Sequence, residues 1–159
     1  MAEDEKLAGM VDITEKPAVF RKATATGSIR LQEVSIEAIK RGQVKKGDVL
    51  TTARLAAILA VKDTPRLIPL CHSIPITGLD VNFEIEERRV RATVTVTSEG
   101  KTGVEMEALT GVAVALLNVW DMVKYLEKDE TGNYPQTEIL GIAVCEKKKG
   151  KYEADEAAH

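Results

Sequence analysis

The sequence predicts one α+β domain, a ferredoxin-like sandwich in which helices pack on one face of a mostly antiparallel sheet. Three observations carry that prediction. At 159 residues the chain has the length of a single domain. In its middle, two runs of alternating apolar and polar residues face each other across a short turn, the mark of a half-buried hairpin. Before and after the hairpin stand stretches with helical spacing of apolar residues, and a last β-branched run returns beyond them.

Met1 to Gly9 is charged and poor in large apolar side chains, as is the chain from Lys147 onward, so both ends read as disordered tails unable to offset the entropy of ordering. A strand is expected over Ala23 to Val34, with Ile29 and Leu31 on one side and Ser28 and Arg30 on the other. Ser35 is then placed to cap a short helix to about Arg41. After the Lys45-Lys46-Gly47-Asp48 turn, Asp48 caps a helix to about Lys62, whose Ala53, Ala56, Ala57 and Ala60 admit close approach of another element.

Thr64-Pro65 suits the cap and first residue of a separate short turn ending before Pro69. The segment Leu67 to Leu70 delivers Cys71-His72 into a loop closed by Pro75. In the hairpin, Leu79, Val81, Phe83 and Ile85 alternate with Asp80, Asn82, Glu84 and Glu86, and beyond Glu87-Arg88 the residues Val90, Ala92, Val94 and Val96 alternate with Arg91, Thr93, Thr95 and Thr97. One long helix from about Val104 to Lys128 carries Leu109, Val112, Ala113, Leu116, Val119, Trp120 and Val123 at helical spacing, with Gly111 permitting close packing. Thr137 to Glu146 is the returning strand.

Hydrophobic residues make up 44% and charged residues 30% of the chain, a globular composition, and apolar runs such as Gly111 to Leu117 are too short to span a bilayer. No membrane partner is expected. With 22 basic and 25 acidic residues the net charge is −3, so there is no global positive field to hold a nucleic-acid backbone, and no nucleic-acid partner is expected. Two cysteines, Cys71 and Cys145, and two histidines, His72 and His159, are too few and too scattered for a zinc site or a disulfide framework, so no metal is expected. Met1 to Lys6 lacks the pattern of a secretory signal, which makes the cytoplasm the default compartment.

Three clusters place polar groups where packing does not require them. Leu70-Cys71-His72, with Lys46 upstream, offers a thiol and an imidazole, though a lone histidine beside a cysteine is commonly structural. Gly100-Lys101-Thr102-Gly103-Val104-Glu105-Met106-Glu107 sets two carboxylates at a strand-to-helix junction, where the helix dipole alone favours acids. Its Gly-Lys-Thr is no phosphate loop, because Thr95 stands where the first glycine belongs. Asp121, Lys124 and Lys128 share one helical flank beside Trp120 and Val123. Such a set is usually solvated ion pairing, but at the border of a core the aspartate would titrate upward and the lysine downward, giving a usable acid and base.

The strings Met10-Val11-Asp12-Ile13, Lys46-Gly47-Asp48-Val49 with Thr52-Ala53-Arg54, Ile68-Pro69-Leu70-Cys71-His72, Gly103-Val104-Glu105-Met106-Glu107-Ala108-Leu109-Thr110 and Asp121-Met122-Val123-Lys124 resemble, in order and spacing, the MoaC family, the cyclic pyranopterin monophosphate synthases of molybdenum-cofactor biosynthesis. The likeness covers about Met10 to Lys149, which sets a single catalytic domain at 10–149 between tails at 1–9 and 150–159. It implies conversion of 3′,8-cyclo-7,8-dihydro-GTP, made by a radical S-adenosylmethionine GTP cyclase, into cyclic pyranopterin monophosphate with release of pyrophosphate. Asp121, Lys124 and Lys46 match the family's catalytic positions, and Leu70, Cys71, His72, Glu105, Met106 and Glu107 its substrate-binding segments. The resemblance further implies a lyase that requires no cofactor, with magnesium admitted only alongside the triphosphate, and a homohexamer built as a trimer of dimers.

Departures from the family pattern are Ser73 in place of a common proline, Trp120 in place of a tyrosine, and Glu146-Lys147-Lys148-Lys149-Gly150 in place of a glycine-rich lysine loop. Two other classes stay open on the residues alone. One is a non-catalytic ferredoxin-like interaction module; the other is a cysteine hydrolase using Cys71. The length of the last helix adds one expectation. Glu107 and Asp121 lie 14 residues apart, so on one helix they stand about 21 Å apart at 1.5 Å per residue. A site using both is therefore expected between subunits.

Overall fold

The computed structural model describes residues 8–154, so the expectations for the outermost parts of both tails, including His159, fall outside the described residues. Seven elements follow one another: β1 (Val19–Arg30), α1 (Glu33–Lys40), α2 (Val49–Leu67), β2 (Ile76–Ile85), β3 (Arg89–Gly100), α3 (Glu105–Glu127) and β4 (Glu138–Gly150). The four strands form one sheet in the order β2-β3-β1-β4, with every neighbouring pair antiparallel. This is the α+β, ferredoxin-like arrangement that the alternating runs predict.

The period-two pattern decides which face is buried. Ala23, Ala25 and Ile29 of β1 and Val90, Ala92, Val94 and Val96 of β3 are fully buried in the core with Ala108, Val112, Leu116 and Val119 of α3. The other face of these two central strands is threonine-rich, with Thr24 Oγ1 2.9 Å from Thr95 Oγ1. Close packing of α3 depends on two glycines. A Cβ at Gly111 would stand 2.8 Å from Val61 of α2 and 3.1 Å from Val94 of β3, and one at Gly27 would stand 2.9 Å from Val112. Gly111 therefore permits packing, as its place in the pattern suggests. By length and composition α3 could cross a bilayer, but about half of its apolar stretch is buried within this domain.

Asp48 caps α2 as expected, its carboxylate accepting from Thr51 N at 2.8 Å. Several boundaries differ from the sequence reading. β1 begins at Val19 and ends at Arg30 because its first residues pair with the end of β3 and because Leu31 N turns to Arg88 O. Ser35 is not a cap: it is buried inside α1, its hydroxyl donating to Glu127, while the carboxylate of Glu127 accepts from Gln32 N and supplies the missing cap from another helix. α2 continues through Thr64-Pro65 to Leu67; Thr64 is buried with its hydroxyl bonded to Ala60 O, so it starts no separate turn. Lys147 to Lys149 belong to β4 and not to a tail, since they pair with Ala23, Lys22 and Arg21 at the sheet edge.

Candidate functional site

The candidate residues gather at the two ends of α3. At its C-terminal end Asp121 projects from the helix with its side chain 56% exposed, and Lys124 follows one turn on, its Nζ 2.9 Å from Asp121 Oδ1. Lys46 arrives from the loop between α1 and α2 and places Nζ 2.7 Å from Asp121 Oδ2 and 3.3 Å from Asp121 O. Lys128 closes the helix through its backbone N–H and joins no ion pair among the described residues. The third partner of this group is thus Lys46, which no local periodicity could place there.

The electrostatics run opposite to the sequence expectation. The Lys46 hydrogen bond, then that of Lys124, holds the Asp121 carboxyl below the usual aspartate range. The Asp121 hydrogen bond and charge push the Lys124 ammonium up. Both groups are exposed, so burial is too weak to drive the aspartate up or the lysine down, and mutual attraction decides the direction. In the free chain they stand as carboxylate and ammonium.

The N-terminal end of α3 is different in kind. Glu107 is 1% exposed; among the described residues its Oε1 receives only the Cys71 thiol, at 3.8 Å, and Oε2 has no partner. Burial raises the pKa of Glu107, against smaller opposing hydrogen bonds. Ordinary N-terminal charge at a helix would sit in solvent, so the dipole alone does not account for this residue. Glu105 does fit a first-turn acid. Its carboxylate folds back over Gly103, where any Cβ would collide with both carboxylate oxygens, and Lys147 Nζ of β4 stands 2.7 Å from Oε1. Burial pushes the Glu105 carboxyl up, but the Lys147 ammonium, the backbone N–H of Glu105 and the Arg21 charge together outweigh it and the net direction is down.

Leu70 and Met106, next in sequence to Cys71 and Glu107, are exposed apolar side chains. His72 Nε2 lies 2.6 Å from Val11 O; a carbonyl only accepts, so that nitrogen carries the hydrogen and Nδ1 is left for other work. Cys71 is half-buried, and burial followed by the Glu107 charge raises its thiol pKa. A cysteine nucleophile needs the reverse, and the adjacent imidazole is engaged by Val11, so the geometry disfavours a Cys71 hydrolase.

Of the C-terminal lysines, Lys147 is the one that pairs with Glu105, with buried Arg21 near the same carboxylate. A broad concavity of about 1400 Å³ lies over the threonine-rich face, lined by Lys22, Thr95, Thr97, Lys148 and Tyr152; Lys147 also lines it, whereas none of the nine candidate residues does. The Asp121 group is exposed and Glu107 is buried, toward opposite ends of a 23-residue helix, with about 21 Å of helical rise between the two residues.

An α+β sandwich with an exposed lysine–aspartate–lysine group at one end of a helix and a buried, poorly partnered carboxylate at the other carries the kinds of group that acid–base chemistry uses. Comparison with known proteins gives the family. The model of the MoaC family matches residues 10–150. A probable cyclic pyranopterin monophosphate synthase of Methanosarcina mazei is 62% identical over 91% of this chain and 92% of its own length. One from Methanospirillum hungatei is 58% identical over 92% and 94%. A Methanothermobacter thermautotrophicus relative, 56% identical over 92% of each chain, is named a probable cyclic pyranopterin monophosphate synthase accessory protein. The chain belongs to the MoaC family. Among solved structures, a mutant of the ferredoxin protease FusC in complex with Arabidopsis ferredoxin matches 62% of this chain and 10% of its own, at 20% identity and a TM-score of 0.36, too loosely to bear on fold or function.

Proposed function

We propose that this protein is a cyclic pyranopterin monophosphate synthase acting in molybdenum-cofactor biosynthesis, a cytoplasmic lyase that converts 3′,8-cyclo-7,8-dihydro-GTP to cyclic pyranopterin monophosphate and pyrophosphate. The observation that carries the reading is the division of labour along α3. One end presents a lysine–aspartate–lysine group, and the other a buried carboxylate oxygen with no partner among the described residues.

The chemistry asks for both. Closing the cyclic phosphate forms a bond from a sugar-derived oxygen to the α-phosphorus and breaks the bond from that phosphorus to the bridging oxygen of the leaving pyrophosphate. The attacking hydroxyl must lose a proton and the departing oxygens gain negative charge. Asp121 is the base once the substrate's phosphates draw Lys46 and Lys124 off its oxygens. That relieves the downward shift of the carboxyl and the upward shift of Lys124 that make the pair a weak base and a weak acid in the free chain. Lys124, held as an ammonium, is the acid, and Lys46 adds a second positive charge for the phosphates. Glu107 accepts from N–H donors on the guanine-derived ring, which supply the partner its Oε2 lacks. Glu105 with Lys147, His72 through Nδ1, Cys71, and the apolar surfaces of Leu70 and Met106 complete the binding face.

Because about 21 Å of helix separates Glu107 from Asp121, a second copy of the chain brings the Glu107 end of one subunit to the Asp121 end of another, in a homohexamer of three dimers. The substrate comes from a radical S-adenosylmethionine GTP cyclase. No resident metal or cofactor enters the reaction, magnesium entering only with the triphosphate. Incubating the purified protein alone with the cyclised GTP derivative tests the reading: pyrophosphate and a pterin product are expected in equal amounts. Turnover that requires a second protein would favour an accessory role, and no turnover under any pairing would overturn the proposal.

A further inference from the structure

We propose that Tyr125 is a positioning residue for this reaction: its phenolic oxygen fixes the backbone beside Lys46 and so holds the Lys46 ammonium on Asp121. The inference rests on the reading of Lys46 and Asp121 given above and adds a residue that neither the sequence pattern nor that reading uses.

Lys46 sits in the connection between α1 and α2, a stretch exposed at every position from Arg41 to Asp48 except the buried Val44. Two glycines of positive φ, Gly42 at 64° and Gly47 at 112°, bracket it. A long lysine side chain on such a loop carries much rotamer and backbone freedom, and an exposed ion pair alone is too weak to hold it in one geometry. A second tether is present one residue away. Lys45 N donates to Tyr125 Oη at 3.0 Å, and Lys45 Nζ lies 5.0 Å from the centre of the Tyr125 ring.

Tyr125 is suited to that task. It stands four residues after Asp121 on α3, so the two side chains share a helical face and successive loop residues meet successive turns of the helix. Its ring is partly buried and packs against the hydrophobic core, which fixes the hydroxyl with only two side-chain torsions. The loop thus rests on three points in a row: Val44 in the core, Lys45 N on Tyr125, and Lys46 Nζ on Asp121.

Tyr125→Phe in the full chain removes the acceptor and keeps both the core packing and the cation–ring contact. The loss of one such hydrogen bond should lower kcat/KM for the cyclised GTP derivative about three- to tenfold. In a Lys46→Ala background, measured in single turnover, the same change should cost less than about twofold, because the group being positioned is gone. A readout independent of turnover is the titration of the Asp121 carboxyl carbon by NMR. Asp121 faces Lys46 from the loop and Lys124 from its own helix. Loosening Lys46 should move its titration upward toward the ordinary aspartate range. An equal loss of kcat/KM in the Lys46→Ala background, or an Asp121 titration identical to wild type, overturns the assignment. If the wild-type protein does not turn over the substrate at all, the functional reading fails, and the Asp121 titration still decides whether Tyr125 positions Lys46.

Discussion

Replacing Glu107 by glutamine should make the protein more stable and worse at binding its substrate. The wild-type side chain is a carboxyl group buried to 1% exposure, with one oxygen on a thiol at 3.8 Å and the other without a partner among the described residues. A buried, poorly partnered polar group costs about 1–3 kcal/mol, and more when charged, so exchanging it for a neutral amide of the same shape should gain about 1–2 kcal/mol at pH above the raised pKa of Glu107, where the wild-type carboxyl is ionised. For a chain of this length that is a rise of about 2–8 °C in unfolding midpoint.

The pH dependence has a definite sign. Burial raises the pKa of Glu107 above the ordinary value of about 4.5, so the folded chain holds that proton more tightly than the unfolded chain does. Wild-type stability therefore falls as pH rises from about 4.5 through the raised value, and the advantage of the glutamine variant opens over that window and then levels off. Substrate binding should move the other way. An ionised acceptor bonded to ring N–H donors contributes about 1.5–3 kcal/mol, so KM should rise about 10- to 150-fold. Thermal unfolding from about pH 4 to about pH 9, with KM at neutral pH, checks both halves. A variant less stable than wild type across the range, or one with unchanged KM, refutes the assignment of Glu107 as an acceptor held open for ligand.

Asp121→Asn and Lys124→Ala should each lower turnover about 10²- to 10⁴-fold while leaving the circular dichroism spectrum and unfolding midpoint near wild type, since both side chains are exposed; wild-type rates in either folded variant would remove it from the mechanism. Dialysis against a strong chelator should leave both fold and turnover intact, and activity lost with a stoichiometric metal would contradict a reaction without a resident metal. Glu127→Ala should lower stability by about 3–5 kcal/mol, because it strips the partner from Gln32 N, the Ser35 hydroxyl and the Thr137 hydroxyl, the last at 2.7 Å, in one buried cluster; chemical denaturation measures the loss, and a change under about 1 kcal/mol would show the cluster to be dispensable.

What was legible in the sequence depended on the range of the interaction. Asp48 and its bond to Thr51 lie within one helical turn, so the cap could be read directly. The hairpin was equally plain, because period-two alternation survives wherever one face of a sheet is buried. Ser35 looked like a cap for the same local reason, and failed because its partner Glu127 comes from the far end of α3. The charged group at the C-terminal end of that helix was half visible. Asp121 and Lys124 share a flank by spacing, but Lys46 joins them from 75 residues away, and its presence could be expected only from the family resemblance.

The same distinction governs the titrating groups. A buried Glu107 and a partly exposed Glu105 differ by two positions in one first turn, and nothing in their spacing tells which one the core encloses. The expected upward shift of Asp121 assumed a partly buried flank. The fold leaves that flank in solvent and supplies two ammonium groups, which reverses the direction.

The proposed reaction requires the two ends of α3 to meet in one active site contributed by two copies of the chain. Mixing Glu107→Ala protein with Asp121→Asn protein, each inactive alone, under conditions of verified subunit exchange decides whether they do. A shared site regenerates some pairs with one intact centre, so release of pyrophosphate from the cyclised GTP derivative should recover in part. Continued inactivity despite complete exchange would show that both residues must act from the same chain.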